Sequence, residues 1–315
     1  MTAQPTIVGL GEALFDVFPD RSLLGGAPLN VAVQAHQLVA PQGGRGLPVS
    51  RIGRDKLGER MRQELKQRGV PLIGLQEDPE HPTGTVNVTV AGNEPQYEIV
   101  EDVAWDYLEL TDELKALADN CDAVTFGTLA QRSSASRAAI QQFVMHARGA
   151  LRLFDVNLRQ KYYDAELLRK GCELATVVKL NEHELPHVHG ALGLPAIPPA
   201  FEGEVRTDRC VEDMLAGFML KAVALTRGAR GTVLYHSGEK TEGEPVHYQP
   251  ESEKAAADSV GAGDACSAGL IVGLLAERPG REVVELANKM GAFVASRSGA
   301  TPQIPQELID AAPFG

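Results

Sequence analysis

Short apolar runs alternate along the chain with stretches whose apolar positions recur every three to four residues. TIVGL (6–10), PVSRIG (48–53), DAVTFG (122–127), LRLFDVN (151–157), TVVKLN (176–181) and AVALTRG (222–228) have the length and composition of strands. PLNVAVQAHQLV (28–39) and DKLGERMRQELKQRGV, ended by Gly69, read as helices, as do stretches near 133–148, 164–174 and 208–219. Strands alternating with helices predict a mostly parallel sheet covered on both faces. Two more helices, 263–276 and 281–297, are separated by Pro279-Gly280. The Pro- and Gly-rich stretch 193–207 predicts a surface loop.

One region changes period. TGTVNVTVAG (83–92) and PQYEIVE (95–101) alternate every second residue around Gly92-Asn93-Glu94, a hairpin signal. Such an insertion predicts a small second sheet, either a lid over a ligand cleft or a plain edge hairpin.

Composition then narrows the class. The chain has 315 residues, 43% hydrophobic and 23% charged, enough for one large α/β domain or two ordinary ones. A net charge of -12 argues against nucleic-acid or anionic-membrane partners. The start lacks a basic segment and carries Glu12 and Asp16, so no signal peptide is expected; no apolar run is long enough to span a membrane. Cys121, Cys172, Cys210 and Cys266 are scattered, which predicts reduced thiols and a cytoplasmic setting.

Several motifs fail on inspection. His183-Glu184-Leu185-Pro186-His187 has the letters of a zinc-protease helix, but Pro186 disrupts the turn that must align the histidines, and His189 is too close to complete the site. Gly9-Leu10-Gly11 follows a strand, but Leu14 stands where a dinucleotide fingerprint needs its third glycine. Neither a Walker-type phosphate loop nor a G-x-S-x-G elbow is present.

Gly261-Ala262-Gly263-Asp264 is the strongest chemical candidate. Glycines let backbone N–H groups approach an anion, and the helix that follows adds its positive dipole end. The dipole is expected to lower the pKa of Asp264, leaving a carboxylate able to take a proton from an alcohol that attacks a phosphoryl group. An ordinary helix cap accounts for the same four residues. Gly25-Gly26-Ala27-Pro28-Leu29-Asn30 is a second glycine turn. Asn30 offers a donor and an acceptor to a hydroxyl, and Asp16, after the first strand, can accept two; a turn and cap are the alternative. Asn181 and Glu184 end a strand with oxygen donors suited to magnesium through water. Lys179 reads equally well as surface charge. The turn Thr226-Arg227-Gly228-Ala229-Arg230-Gly231 can support a nucleotide.

The order GGAPLN, DVNLR, NEHE, TRGARG, DSVGAGD along nearly the whole chain resembles the ribokinase-like (PfkB) family of carbohydrate kinases. The resemblance implies one ribokinase-like domain over 1–315, a three-layer α/β/α fold with a mostly parallel central sheet and a small β lid from segments near 12–24 and 83–103. It implies transfer of a phosphoryl group from Mg-ATP to a sugar. Asp264 would be the base, with Gly261, Ala262 and Gly263 as the anion hole. Asp16, Gly26 and Asn30 would hold the sugar, and Arg159 would reach the phosphate or a sugar hydroxyl. Lys179, Asn181, Glu184, Thr226, Gly228, Gly231 and Asn288 would serve the nucleotide, with Asn181 and Glu184 ordering Mg2+. A potassium ion, used by many relatives, would lie at Asp258, Val260, Val294, Arg297 and Gly299.

GEALFDVFPD, YEIVEDVAWDYL and FDVNLRQKYYD resemble the fructokinase-like branch, making fructose the expected substrate. The DxNxR stretch also fits a 2-keto-3-deoxygluconate kinase. Another sugar or nucleoside kinase, or a non-catalytic sugar sensor, are further readings. The expected partners are a small sugar and ATP, in a monomer or homodimer. Cys266 departs from the family's phenylalanine, Ser259 from its threonine, and Arg227 from a small or apolar residue.

Overall fold

The structure, a computed structural model, describes residues 4–91, 94–251 and 260–312. In chain order the strands are β1 (Thr6–Leu10), β2 (Leu14–Val17), β3 (Ser22–Gly25), β4 (Arg45–Gly53), β5 (Leu75–Asp78), β6 (Gly84–Ala91), β7 (Glu94–Ile99), β8 (Ala123–Gly127), β9 (Leu151–Asp155), β10 (Val177–Asn181), β11 (Ala222–Thr226), β12 (Thr232–His236) and β13 (Glu239–Glu242). The helices are α1 (Ala27–Val39), α2 (Lys56–Gln67), α3 (Asp112–Asn120), α4 (Ser134–His146), α5 (Ala165–Leu174), α6 (Glu184–Ala191), α7 (Gly203–Phe218), α8 (Ala262–Leu275), α9 (Gly280–Ala295) and α10 (Gln306–Asp310).

Nine strands form the large sheet in the order β13-β12-β11-β10-β9-β8-β1-β4-β5. Pairing is parallel except for β11 with β12 and β12 with β13. The central strands are apolar and buried on both faces, as parallel strands between two helical layers must be. One face packs Ile7, Leu153 and Val177 against α1, α8 and α9. The other packs Val124, Phe126 and Phe154 against the layer that contains Phe143, Val188 and Met214. The result is the expected three-layer architecture.

Local signals set the helix ends. Asp55 caps α2 by accepting from Gly58 N at 2.8 Å, and Gly69 turns the chain after it with φ +72°. Asp164 caps α5 in the same way, at 2.7 Å from Leu167 N. Helix α8 is buried nearly all round because it lies between α1 and α9.

A smaller sheet, in the order β3-β2-β6-β7, stands beside the large one. Strands β6 and β7 pair antiparallel; Gly92 and Asn93, the expected turn, fall outside the described residues. Asp16, after β1, lies within β2 of the small sheet. One sequence reading changes. The expected loop 193–207 is interrupted at Gly203, where α7 begins. Among the described residues no helix is long and apolar enough to cross a membrane.

Candidate active site

The carboxyl ends of adjacent parallel strands bring the candidate residues together. Register pairs Asp155 with Gly127 and with Lys179, and Asn181 with Thr226. The strand order reverses between β1 and β8, which is where an open α/β sheet leaves its crevice. Helix α8 starts over this edge. Gly261 caps it with φ +80°, and a Cβ there would lie 2.5 Å from Ala300. Glycine is therefore required both by conformation and by space.

Asp264 stands in the first turn of α8 and accepts from Asn30 Nδ2 at 2.8 Å. That bond joins the start of α8 to the start of α1. Burial raises the Asp264 pKa to about 6, with the Asn30 hydrogen bond opposing it and Asp155 adding to it. The dipole argument had the opposite sign; desolvation outweighs it, because the carboxyl is enclosed by protein. The group is still mostly ionised at neutral pH.

Gly26, at the mouth of α1, has φ +107°, and a Cβ there would come 2.4 Å from the Glu12 carbonyl. A Cβ on Gly25 would meet Asp16 Oδ2 at 2.8 Å, so Asp16 is laid against this turn from the small sheet. Asn30 Oδ1 is buried and has no hydrogen-bond partner among the described residues. Arg159, after β9, is exposed, and its charge acts on both Asp264 and Glu12.

Lys179 is not surface charge. It is 6% exposed, and its Nζ donates to Asp155 Oδ2 at 2.8 Å. Burial would depress its pKa, but the Asp155 carboxylate overrides this and holds it above the usual lysine value. The ammonium lies 3.6 Å from where a Gly263 Cβ would stand, at the opening of α8. Ser267 Oγ donates to the same Asp155 oxygen at 2.9 Å.

Asn181 and Glu184 are turned onto the backbone. Asn181 Oδ1 accepts from His183 N and Glu184 N at 2.9 and 3.0 Å. Glu184 Oε2 accepts from Asn181 N at 2.9 Å, and Oε1 from Leu158 N at 2.8 Å. The pair fixes two strand ends. Among the described residues there is no group of three or more His, Cys, Asp or Glu side chains placed to chelate a metal. That includes the His183–His187 run, which merely opens α6, with Pro186 in its first turn.

Thr226, Gly228, Gly231 and Asn288 line one cleft of about 450 Å3, closed on its other sides by Tyr248 and by Ala262 and Gly263. Asn288 Nδ2 donates to Glu244 O at 3.0 Å, tying α9 to the chain after β13. Cys266 faces this cleft, 3.5 Å from Thr232 Oγ1, and burial raises its thiol pKa. Of the expected potassium residues, Asp258 lies outside the described residues. Val294 O accepts from Arg297 N at 3.0 Å, and Gly299 takes φ +80° in the loop that packs on Gly261.

Glu12, Asp155 and the Val246–Pro250 stretch belong to this region and were not singled out from sequence. Asp155 had a signal, as the acid at a strand end within DVNLR. Glu12 had only its place after a Gly-x-Gly turn.

Known proteins share the sequence pattern and the fold. The chain is 31% identical over 320 residues to the fructokinase of Escherichia coli, covering 95% of this chain and 96% of that one. The fold matches the crystal structure of a fructokinase with bound ATP from Xylella fastidiosa at TM-score 0.80 and 22% identity, over 97% of each chain. It matches that of 2-dehydro-3-deoxygluconokinase from Thermotoga maritima at TM-score 0.79 and 18% identity, over 99% of each. The sequence pattern of the pfkB family carbohydrate kinases runs from residue 20 to 307. The chain therefore belongs to the pfkB family and is a sugar kinase, an enzyme that transfers a phosphoryl group to a carbohydrate.

Proposed function

We propose that the protein is an ATP-dependent fructokinase that uses Asp264 as its base. The observation that carries this reading is the Asp264–Asn30 bond, which sets an ionisable carboxyl at the junction of the two glycine turns. On one side lies the cleft of Thr226, Gly228, Gly231 and Asn288, suited to a nucleotide. On the other lie Asp16, Gly26 and Asn30, suited to hydroxyls, with the small sheet as their lid.

Asp16 and the unpartnered Asn30 Oδ1 accept from the sugar and hold one hydroxyl toward Asp264. Asp264 takes that proton as the oxygen attacks phosphorus; a base with a pKa of about 6 is poised for such a transfer near neutral pH. The N–H groups of Ala262 and Gly263, the α8 dipole and the Lys179 ammonium stabilise the negative charge of the transferring group. Magnesium, when bound on the nucleotide phosphates, neutralises their charge, and Asn181 and Glu184 fit a role through water because their oxygens already hold backbone amides. The carbonyls of Val260, Val294, Arg297 and Gly299 are the proposed potassium ligands, with Asp258, which lies outside the described residues, as a further one.

Fructose is favoured over 2-keto-3-deoxygluconate because the sugar side carries Asp16 and Asp264. A sugar carboxylate would meet like charge there, with Arg159 as its counter-ion. The test is ADP release over fructose, 2-keto-3-deoxygluconate, ribose and nucleosides, with potassium or sodium. Fructose should give the highest kcat/KM, and Asp264→Asn should lower kcat by about 10²–10⁴-fold. Wild-type turnover in that variant would sink the assignment of the base, and no response to any sugar would sink the reading as a whole.

A further inference from the structure

Helix α1 places two buried polar side chains one turn apart, Asn30 and Gln34, at 2% and 0% exposure. Residues four apart share a helix face. Asn30 holds the Asp264 carboxyl. Gln34 reaches the loop that packs on the start of α8: its Nε2 donates to Ala300 O at 3.2 Å. Gly261 rests on that same residue. A Cβ on Gly261 would lie 2.5 Å from Ala300 Cα and 2.8 Å from the carbonyl oxygen that Gln34 holds.

The directions of the surrounding bonds fix which way the amide points. Ile304 N donates to Gln37 Oε1 at 3.0 Å, so Gln37 presents its Nε2 to Pro302 O, at 3.1 Å, and to Gln34 Oε1, at 3.0 Å. Gln34 is left with Nε2 toward Ala300. From the end of α2, Arg68 Nη1 donates to Thr301 O and Oγ1 at 2.5 and 3.0 Å. The carbonyls of residues 300, 301 and 302 are thus each held by a side chain from another element. Of the three, Ala300 is the residue that meets Gly261. A buried amide is costly unless its groups are bonded, and here both the donor and the acceptor of Gln34 are used.

We propose that Gln34 is a positioning residue for phosphoryl transfer: through Ala300 it holds Gly261, and with it the N–H groups of Ala262 and Gly263, in register with the base that Asn30 holds. One helix then sets both the carboxyl and the anion hole. Gly261 turns at φ +80°, and that turn aims the N–H groups that follow; with Ala300 against it, the turn has no room to relax. Gln34 is fully enclosed and touches no ligand. The hole takes up negative charge that grows only as the phosphoryl group is transferred, so a displaced hole weakens the transition state and spares ground-state binding. The inference rests on the start of α8 being the anion hole of the proposed reaction.

The test is kcat and both KM values for Gln34→Met, with Mg-ATP and the sugar that scores best in the ADP-release screen, beside circular dichroism melts as the check on folding. Methionine keeps the length of the stem and the helix propensity but cannot donate to Ala300. Kcat should fall about tenfold to a hundredfold, with both KM values within about threefold of wild type. Affinity for ADP with tetrafluoroaluminate, a mimic of the transferring group, should fall by the same factor as kcat, while that for ADP alone stays within about twofold. Gln37→Met, at a half-buried position, frees the Gln34 amide to turn and should lower kcat by about threefold to tenfold. A folded Gln34→Met enzyme with wild-type kcat overturns the proposal. So does one whose affinity for ADP alone falls as far as that for the mimic, because the damage is then general. If Gln34→Met does not fold, Gln37→Met decides in its place, and wild-type kcat there overturns the proposal. Asp264→Asn measured alongside separates the failures. If it stays active, the start of α8 is not the reacting site and the inference falls with that reading; if it is dead while Gln34→Met turns over like wild type, Gln34 alone has been misread.

Discussion

At Asp264 stability and the proposed chemistry pull in opposite directions. Its folded pKa, about 6, lies above the unfolded value of 3.8, chiefly because the carboxyl is desolvated. The folded state therefore binds more protons between those values, and stability falls as pH rises from about 4 to about 6, then stays lowered. Replacing the acid by the neutral amide removes the penalty. Asp264→Asn should gain about 1–2 kcal/mol at pH 8 and close to nothing at pH 4, after allowance for solvent screening. Paired urea titrations at the two pH values check this. A gain that is equal at both would show that burial of charge is not its source. Gly26 is the opposite case, where a small change must hurt. Gly26→Ala forces a Cβ into the Glu12 carbonyl at φ +107°, and should destabilise by about 2 kcal/mol or more and raise KM for the sugar.

Among the elements, Glu184 does what no single strand can. Each of its carboxylate oxygens takes one backbone N–H, Leu158 after β9 and Asn181 at the end of β10. Glutamine can accept with only one of its two terminal atoms, so Glu184→Gln should leave one amide unpaired, at about 1–3 kcal/mol. The loop carrying Arg159 loosens with it. Kcat should fall about tenfold, measured beside the thermal midpoint, and full activity with an unchanged midpoint would remove Glu184 from the support of that loop. This level also marks how far the sequence was readable. Strands such as β1, β8 and β11 could be placed because burial on both faces leaves a mostly apolar run. The exposed edge strand β13, EKTE, carries no such run and was not foreseen. The glycine turns and Asp264 were visible because their chemistry is local. The Lys179–Asp155 pair was not, since it joins residues 24 apart through parallel register. The pKa values of Asp264 and Glu12 follow from enclosure by several elements, which no short window reports.

Across the whole molecule, Arg132 helps to tie the small sheet to the large one. Arg132 follows β8, and it reaches the segment that returns from β7. Its Nε and Nη2 donate to the Asp106 carboxylate at 2.8 and 2.7 Å, and Nη2 also donates to Val100 O at 2.6 Å. The guanidinium lies 3.9 Å from the Trp105 ring centroid and 5.1 Å from that of Tyr162. Both charges are nearly buried, at 6% and 7% side-chain exposure, so each depends on the other. Arg132→Met keeps the stem over Trp105 but leaves the Asp106 carboxylate without its cation. The expected cost is about 3–5 kcal/mol, most of it recovered when Asp106→Asn is added, because the uncompensated charge goes too. In the proposed site Asp16, on the small sheet, and Asn30, on the large body, hold the same sugar. Arg132→Met should therefore raise KM for the sugar several-fold more than KM for ATP, whose proposed cleft lies between β11, α8 and α9. Equal rises in both constants would mean that the variant disturbs the body as a whole, and that the small sheet is not held in place by this contact.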